Sequence, residues 1–302
     1  MDSQSYKEAL IQQVGGYFQS TEPSELLTPI SGLLLLRHTQ PTTTEATFYD
    51  PAFCLILQGE KETSIGERTL RFGSGESLIV SHELPVSSRI IEASYETPYL
   101  AMITPLDLTL LRGLYEQVAE AGLELEKEQV QSMQVHETDT ELLGTLARYL
   151  ALAERPLEAP VLAPLILKEL HFRLLIASHG SMLRQLLKRD SHASKISRAI
   201  GQIRKDFRIS LSIPDLAKTV GMSSSSFHTH FKSITMTTPL QYQKSLRLLE
   251  ARRLLSAGGH TVSTAAFEVG YESPTQFSRE YTRKFGASPR NDLNRTKGKR
   301  GH

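Results

Sequence analysis

Arg279 and Gln276 are the side chains of this 302-residue chain best suited to reading a nucleic acid. Arginine can give paired hydrogen bonds to guanine O6 and N7, and glutamine can pair in the same bidentate way with adenine N6 and N7. Thr275 and Ser278 stand beside them in sequence. Thr282, Arg283 and Lys284 follow, placed to meet phosphate, which adds affinity without sequence preference. A second set lies upstream: Ser225, His228, Thr229 and Lys232. Its serine, histidine and threonine discriminate weakly among bases. The alternative for every one of these residues is a solvated helix surface, and for the serines a helix cap.

Catalytic chemistry finds less support. His38 and His82 are isolated, and no His-x-His pair lies in 30–105. His228 and His230 have that spacing, but side chains at i and i+2 of a helix diverge. Zinc needs three or four converging ligands, so no metal site is expected. No G-x-S-x-G elbow or phosphate-binding glycine loop is present, and no cofactor is implied. The single cysteine, Cys54, sits in an apolar stretch and reads as a buried small hydrophobe. The alternative is a sensing thiol, which requires exposure and a lowered pKa.

The base-reading candidates occur on one pattern written twice between 213 and 289. The first copy runs Asp215, Ala217, Val220, Gly221, then Phe227, Phe231 and Pro239; the second runs Thr264, Ala266, Val269, Gly270, then Phe277, Tyr281 and Pro289. Alanine to glycine, aromatic to aromatic, and aromatic to proline have the same spacing in both. In each copy a short helix ends at Val-Gly, where glycine accepts the left-handed conformation of a helix end. The small alanine lets another helix cross closely. A serine then caps the next helix, whose aromatics at i and i+4 form an inward stripe. That is a helix–turn–helix, whose second helix can lie in the DNA major groove. An ordinary helical pair would explain one copy, but it explains two copies with matched spacing far less well.

Charge separates along the chain in the same way. From Lys195 onward there are 19 Lys and Arg against 7 Asp and Glu, a net of +12. The first 194 residues hold 15 against 26, a net of −11. A basic C-terminal third that coincides with the repeat is the footprint of a polyanion binder. One cysteine allows no intrachain disulfide and suits a reducing cytoplasm. The N-terminus lacks signal-peptide features, and no apolar run nears the ~20 residues that span a membrane.

The supporting elements follow from periodicity. Residues 5–19 predict a helix with Leu10, Val14 and Phe18 on one face. Short apolar or alternating runs at 33–36, 53–57, 69–72, 77–80, 89–91 and 99–103 predict strands, with a hairpin turn at Ile65-Gly-Glu-Arg68. Strands so spaced suggest a small barrel or sandwich, which either holds a ligand or is filled by its own side chains. Leucine stripes over 107–190 predict amphipathic helices that cover the barrel, pair with a second subunit, or both. A linker is expected at 189–194. Beyond it, Pro239 opens a long helix over 240–255 that would set the two reading helices roughly 34 Å apart, one turn of B-DNA. The tail from Lys297 reads as a disordered basic end.

These residues resemble the AraC/XylS family of bacterial transcription regulators. The stretch Gly270-Tyr-Glu-Ser-Pro-Thr-Gln-Phe-Ser-Arg-Glu-Tyr-Thr-Arg-Lys-Phe-Gly-Ala-Ser-Pro289 is similar to the family's signature segment. Asn291-Asp-Leu departs from it where many members carry a tyrosine, which implies a local packing change. Upstream, Leu55-Ile-Leu-Gln-Gly-Glu-Lys61, Gly73-Ser-Gly-Glu-Ser-Leu-Ile-Val80, Leu84-Pro85 and Glu92-Ala-Ser94 resemble the cupin-like N-terminal domain of one branch. The resemblance implies base contact at Ser225, His228, Thr229, Thr275, Gln276, Ser278 and Arg279, a sensor-like barrel, a cytoplasmic location and frequent dimers. Effectors differ across the family, so none carries over.

The expected architecture is α+β: a cupin-like β-barrel with flanking helices over 1–190, then an all-α domain of two helix–turn–helix units over 195–295. The expected function is sequence-specific transcription regulation, governed by a small-molecule effector in the barrel. The expected partners are double-stranded DNA in its major groove, a second copy of the chain, and RNA polymerase if the protein activates; no membrane is involved. A cupin-type metal enzyme and an effector-independent regulator are the alternatives.

Overall fold

The computed structural model describes residues 2–19, 21–120, 131–177 and 180–292. The expected basic tail lies outside them. Two compact units are distinguished: Met1–Thr44 with Tyr49–Glu83 and Ser88–Ser194, and Lys195 onward with the short stretches Glu45–Phe48 and Leu84–Ser87.

Along the chain, helix α1 (Ser3–Tyr17) comes first and is capped by Asp2, whose carboxylate accepts from Ser5 N at 2.8 Å. Strands follow: β1 (Ser24–Ile30), β2 (Leu33–His38), β3 (Glu45–Tyr49), β4 (Ala52–Gln58), β5 (Glu60–Ile65), β6 (Arg68–Gly73), β7 (Glu76–Val80), β8 (Leu84–Glu92) and β9 (Tyr99–Pro105). After α2 (Leu108–Glu120) comes β10 (Met133–Glu137), then α3 (Thr140–Ala151), α4 (Ala159–Ile176) and α5 (Ser181–Leu187).

The strands make two antiparallel sheets rather than the closed barrel expected. One has six strands in the order β1-β2-β9-β4-β7-β10, the other four in the order β3-β8-β5-β6. Closure fails because β1 and β10 end the larger ladder without pairing to each other. Strand β4 lies at the centre of that sheet, and Phe53–Leu57 reads as an unbroken apolar run because both its faces are covered. Phe53, Leu55 and Leu57 join Leu33, Leu35, Leu100 and Met102 in a core shared with α1 to α5. Cys54 and Ile56 alternate to the opposite face and are buried as well. The β5–β6 hairpin turns at Gly66 (φ 57°), with Ile65 opposite Arg68. That positive φ is what a two-residue hairpin loop demands.

The structure corrects three element assignments. Strands β1, β3 and β5 are additional to those expected. Strand β10 interrupts the region assigned wholly to helices and pairs with β7 from Met133 opposite Val80 to Glu137 opposite Glu76. The expected linker is shorter, because α6 (His192–Lys205) already begins inside it.

The second unit is helical after α6: α7 (Ile213–Thr219), α8 (Ser224–Thr235), α9 (Pro239–Ala257), α10 (Val262–Glu268) and α11 (Pro274–Phe285). Every one of α7 to α11 begins on a Ser or Thr cap: Ser212, Ser223, Thr238, Thr261 and Ser273. Pro239 occupies the first turn of α9, where its missing N–H has no intrahelical use. Helix α9 serves both pairs. Tyr242 meets Phe231 of α8 edge-on at 5.8 Å. Leu248, Ala251, Leu254 and Leu255 pack with Ala265, Ala266, Phe277 and Tyr281 of α10 and α11.

Among the described residues, no helix is long and apolar enough to cross a membrane.

Candidate nucleic-acid interface

The two helix pairs put the same residue types on the same sides. In α8, Phe227 and Phe231 are fully buried, with ring centroids 5.6 Å apart. Ser225, His228, Thr229 and Lys232 are all exposed on its other side. In α11, Phe277, Tyr281 and Phe285 stack inward at 5.5 and 4.4 Å. Thr275, Gln276, Arg279 and Arg283 are exposed, and Ser278 is half-buried. The inward aromatics fix the rotation of each helix, and that rotation sends the polar residues outward.

Five residues of α11 share one surface. Thr275, Ser278, Arg279, Thr282 and Arg283 line a groove of about 790 Å³ with Val262 and Ser263 of α10 and Pro274. Gln276 is not on that surface. Its Nε2 donates to Glu280 Oε1 at 3.2 Å, a contact the sequence reading did not anticipate. Lys284, expected to meet phosphate, donates instead to Ser245 Oγ of α9 at 3.2 Å, and burial pulls its pKa down.

Glu280 is the organising acid of this unit. It is 9 % exposed and accepts from Lys244 Nζ and the Tyr271 hydroxyl, each at 2.8 Å, besides Gln276. Burial would raise its pKa, but these three donors outweigh it and hold the carboxylate below its ordinary range. A buried carboxylate inside a basic unit thereby anchors α11 to α9. The i, i+4 spacing of Gln276 and Glu280 could have flagged one of these bonds; Lys244 lies too far off in sequence to be found. Arg247 works similarly on the other side, donating to the carbonyls of Phe207, Ile209 and Gly270 at 2.7 to 2.8 Å. Burial pulls its pKa down, against the opposite pull of Tyr271, Glu272 and Glu280.

The departure at Asn291-Asp has a definite consequence. Asp292 Oδ2 accepts from the Tyr281 hydroxyl at 2.9 Å and lies 3.4 Å from Arg252 Nε. The local change is therefore polar, an acid clasping the inner tyrosine of α11.

A family model described as the N-terminus of AraC-type transcriptional regulators matches residues 29–182, and a helix-turn-helix domain model matches 216–295. The chain is an AraC-type transcriptional regulator. Its relatives include the transcriptional regulator ExsA of Pseudomonas aeruginosa, 24% identical over 239 residues, 78% of this chain and 83% of that one. The activator RhaS of Yersinia pestis is 27% identical over 125 residues, 38% of this regulator and 46% of the relative. Among solved structures, ToxT of Vibrio cholerae bound to an unsaturated fatty acid superposes with a TM-score of 0.55 at 12% identity, covering 91% of this regulator and 97% of ToxT. That likeness extends the α+β fold over both units. The matched families are DNA-binding regulators, so the enzyme alternative is set aside.

His82 and Cys54 of the regulator are buried within the N-terminal packing. His82 is buried, with Ser81 and Ser132 hydroxyls at Nδ1 and the Ala193 carbonyl at Nε2. A carbonyl only accepts, so Nε2 carries the proton and the serines serve Nδ1. Burial pulls its pKa down to about 4, against the carbonyl's opposite pull, and the ring stays neutral at physiological pH. Burial likewise pushes the Cys54 thiol up, outweighing the Lys61 ammonium. A thiol so placed is a poor nucleophile, which favours the packing reading over the sensing one.

Proposed function

We propose that this regulator reads its operator chiefly through α11, with Arg279 as the main base contact and Arg283 and Thr282 on flanking phosphate. The single observation that carries this reading is the groove that Arg279 shares with Thr275, Ser278, Thr282 and Arg283 on the outer side of a helix locked from within. Helix α8 presents Ser225, His228, Thr229 and Lys232 to a neighbouring stretch of major groove, and α9 spaces the two. Gln276 has to leave Glu280 before it can pair with adenine, so its contribution is smaller than its side-chain chemistry alone suggests. Replacing Arg279 by alanine is expected to cost about 1–3 kcal/mol at the cognate site and to relax one base position. Footprinting or selection from a randomised site would read this, and an unchanged base preference would remove the assignment.

The N-terminal domain, residues 1–190, is the regulatory part in this reading and takes a small-molecule effector. Support comes from the fold likeness to ToxT, whose solved structures hold an unsaturated fatty acid and a naphthalenyl butenoic acid. RNA polymerase is a further partner if the regulator activates.

A second copy of the chain completes the molecule. Helix α4 buries Leu170, Leu174 and Leu175, yet Leu157 just before it and Val161, Leu165, Phe172 and Ile176 along it are exposed, Leu157 at 93% and Val161 at 66%. A second apolar stripe left in water marks a surface for a partner. Antiparallel pairing of two such stripes sets Leu157 against Ile176 and Val161 against Phe172, a self-complementary match of the kind two-fold dimers require. Leu165→Glu is expected to convert the dimer to monomer in sedimentation at micromolar concentration. A wild-type chain already monomeric there would refute the interface.

A further inference from the structure

The second unit is not built from the C-terminal sequence alone. It takes in Glu45–Phe48 of β3 and Leu84–Ser87, the start of β8. These strands are neighbours, and β3 is the end strand of the four-stranded sheet. Leu84, Pro85 and Val86 are buried, and Phe48 is half-buried. The Phe48 ring has two partners among the helices of this unit. The Tyr242 ring of α9 meets it edge-on, with centroids 5.7 Å apart and planes at 75°. The Arg204 guanidinium of α6 lies over it, 5.6 Å from its centroid.

Tyr242 carries that contact inward. It also meets Phe231 of α8, at 5.8 Å and 87°, and Phe231 packs on Phe227 at 5.6 Å. Tyr242, Phe231 and Phe227 are all fully buried. Four rings therefore run in contact from β3 to the inner stripe of the first reading helix. Edge-to-face pairs hold rings at preferred angles, and a close-packed interior passes a displaced ring on to its neighbours. The second reading helix is built differently. Its core draws on α9, α10 and α11 with Tyr271 and Phe207, and on no residue of β3 or β8 among those described.

Strand geometry places the joint at Phe48. Successive strand residues face opposite ways. Tyr49, the next residue, belongs to the first unit. There the Lys61 ammonium lies 5.2 Å from its ring centroid, and its hydroxyl is 3.4 Å from Thr63 Oγ1. Adjacent residues of one strand are thus fixed in the two units.

We propose that Phe48 is a positioning residue for DNA recognition. It sets Tyr242, and through Tyr242 the rotation of α8, so the bases under α8 are read with the help of β3 while those under α11 are not. This rests on the reading of α8 as a DNA-contacting helix, which His228→Ala tests separately.

Selection from a randomised site, with the full chain, tests the proposal. His228→Ala and Arg279→Ala assign the bases under each helix. Phe48→Ala should relax the preference under α8, keep it under α11 and weaken binding to the selected site by about tenfold. Phe48→Tyr keeps the ring and should restore both. Phe48→Leu keeps most of the bulk without the edge-to-face geometry and should fall between; it decides the case if the alanine variant does not fold. Tyr242→Leu should reproduce the Phe48→Ala pattern, and the double variant should be little worse than either single one, as residues acting in series require. A merely structural role would relax both helices alike, and that result would overturn the proposal. A preference under α8 that survives Phe48→Ala and Phe48→Leu but not His228→Ala would also overturn it, leaving α8 as a reader of DNA. Survival in all three variants would remove both readings.

Discussion

Raising salt from about 50 to about 200 mM is expected to weaken binding to duplex DNA by roughly 10³- to 10⁵-fold if six to ten phosphates are neutralised. The loss arises from counterions that cationic side chains release from DNA and that added salt returns. Not every cation of the basic unit counts. Lys244 is committed to Glu280, Arg247 to four backbone carbonyls and Lys284 to Ser245. Lys232, Arg279 and Arg283 remain exposed on the reading helices. The slope of log affinity on log salt therefore reports fewer charges than the net of +12 suggests, and a dimer doubles it. The effect is independent of sequence, so fluorescence anisotropy on any labelled duplex measures it. A flat salt response would rule out a phosphate-dominated interface. Removing Arg283 should lower the slope by about one, which distinguishes a phosphate contact from a base contact.

The second large effect concerns the two glycines of the repeat, which the sequence presents as equivalents. Gly221 and Gly270 both have positive φ, +68° and +90°. Around Gly221 an added Cβ would meet nothing within 4 Å; at Gly270 it would lie 1.9 Å from the Arg208 carbonyl oxygen. Gly221→Ala should cost about 1–2 kcal/mol, the left-handed penalty alone. Gly270→Ala adds a clash with backbone, and backbone cannot rotate away as a side chain can. Its cost is expected to exceed about 4 kcal/mol, beyond the ordinary range of single substitutions, and to abolish DNA binding by unfolding the unit. Thermal melts followed by circular dichroism compare the two. Equal losses would show that the chain around Arg208 yields, and would remove the claimed rigidity of this joint. The other end of the helices shows a related asymmetry: α11 stops at Gly286 with φ 70°, whereas α8 stops at Met236 with φ 57°, a left-handed residue that carries a side chain.

Much of this was legible because it is local. Serine and threonine caps, Val-Gly helix ends and aromatics at i and i+4 act within a few residues, so α7, α8, α10 and α11 could be placed from the sequence, with the outward residues of each reading helix. The apolar runs of β2, β4, β7 and β9 were equally plain. Strands β1, β3, β5 and β10 were not, because much of their length is only partly buried and carries Glu, Lys, Thr or Gln, which weakens alternation. Hydrogen bonds to a neighbouring strand hold such segments extended, and a neighbour distant in sequence leaves no periodic signal.

The sequence by itself determined that two helix–turn–helix units follow a β-rich domain, that Arg279, Arg283, Lys232 and His228 face outward, and that the basic charge lies with the repeat. Only the tertiary structure decided that the sheets stay open, that Gln276 and Lys284 are drawn onto Glu280 and Ser245, and that Gly270 alone among the paired glycines is sterically required. The physical reason is the range of the forces involved. Caps and hydrophobic periodicity act within a turn or two of chain, whereas the contacts of Glu280 with Lys244 and of Gly270 with Arg208 join residues that only the fold brings together.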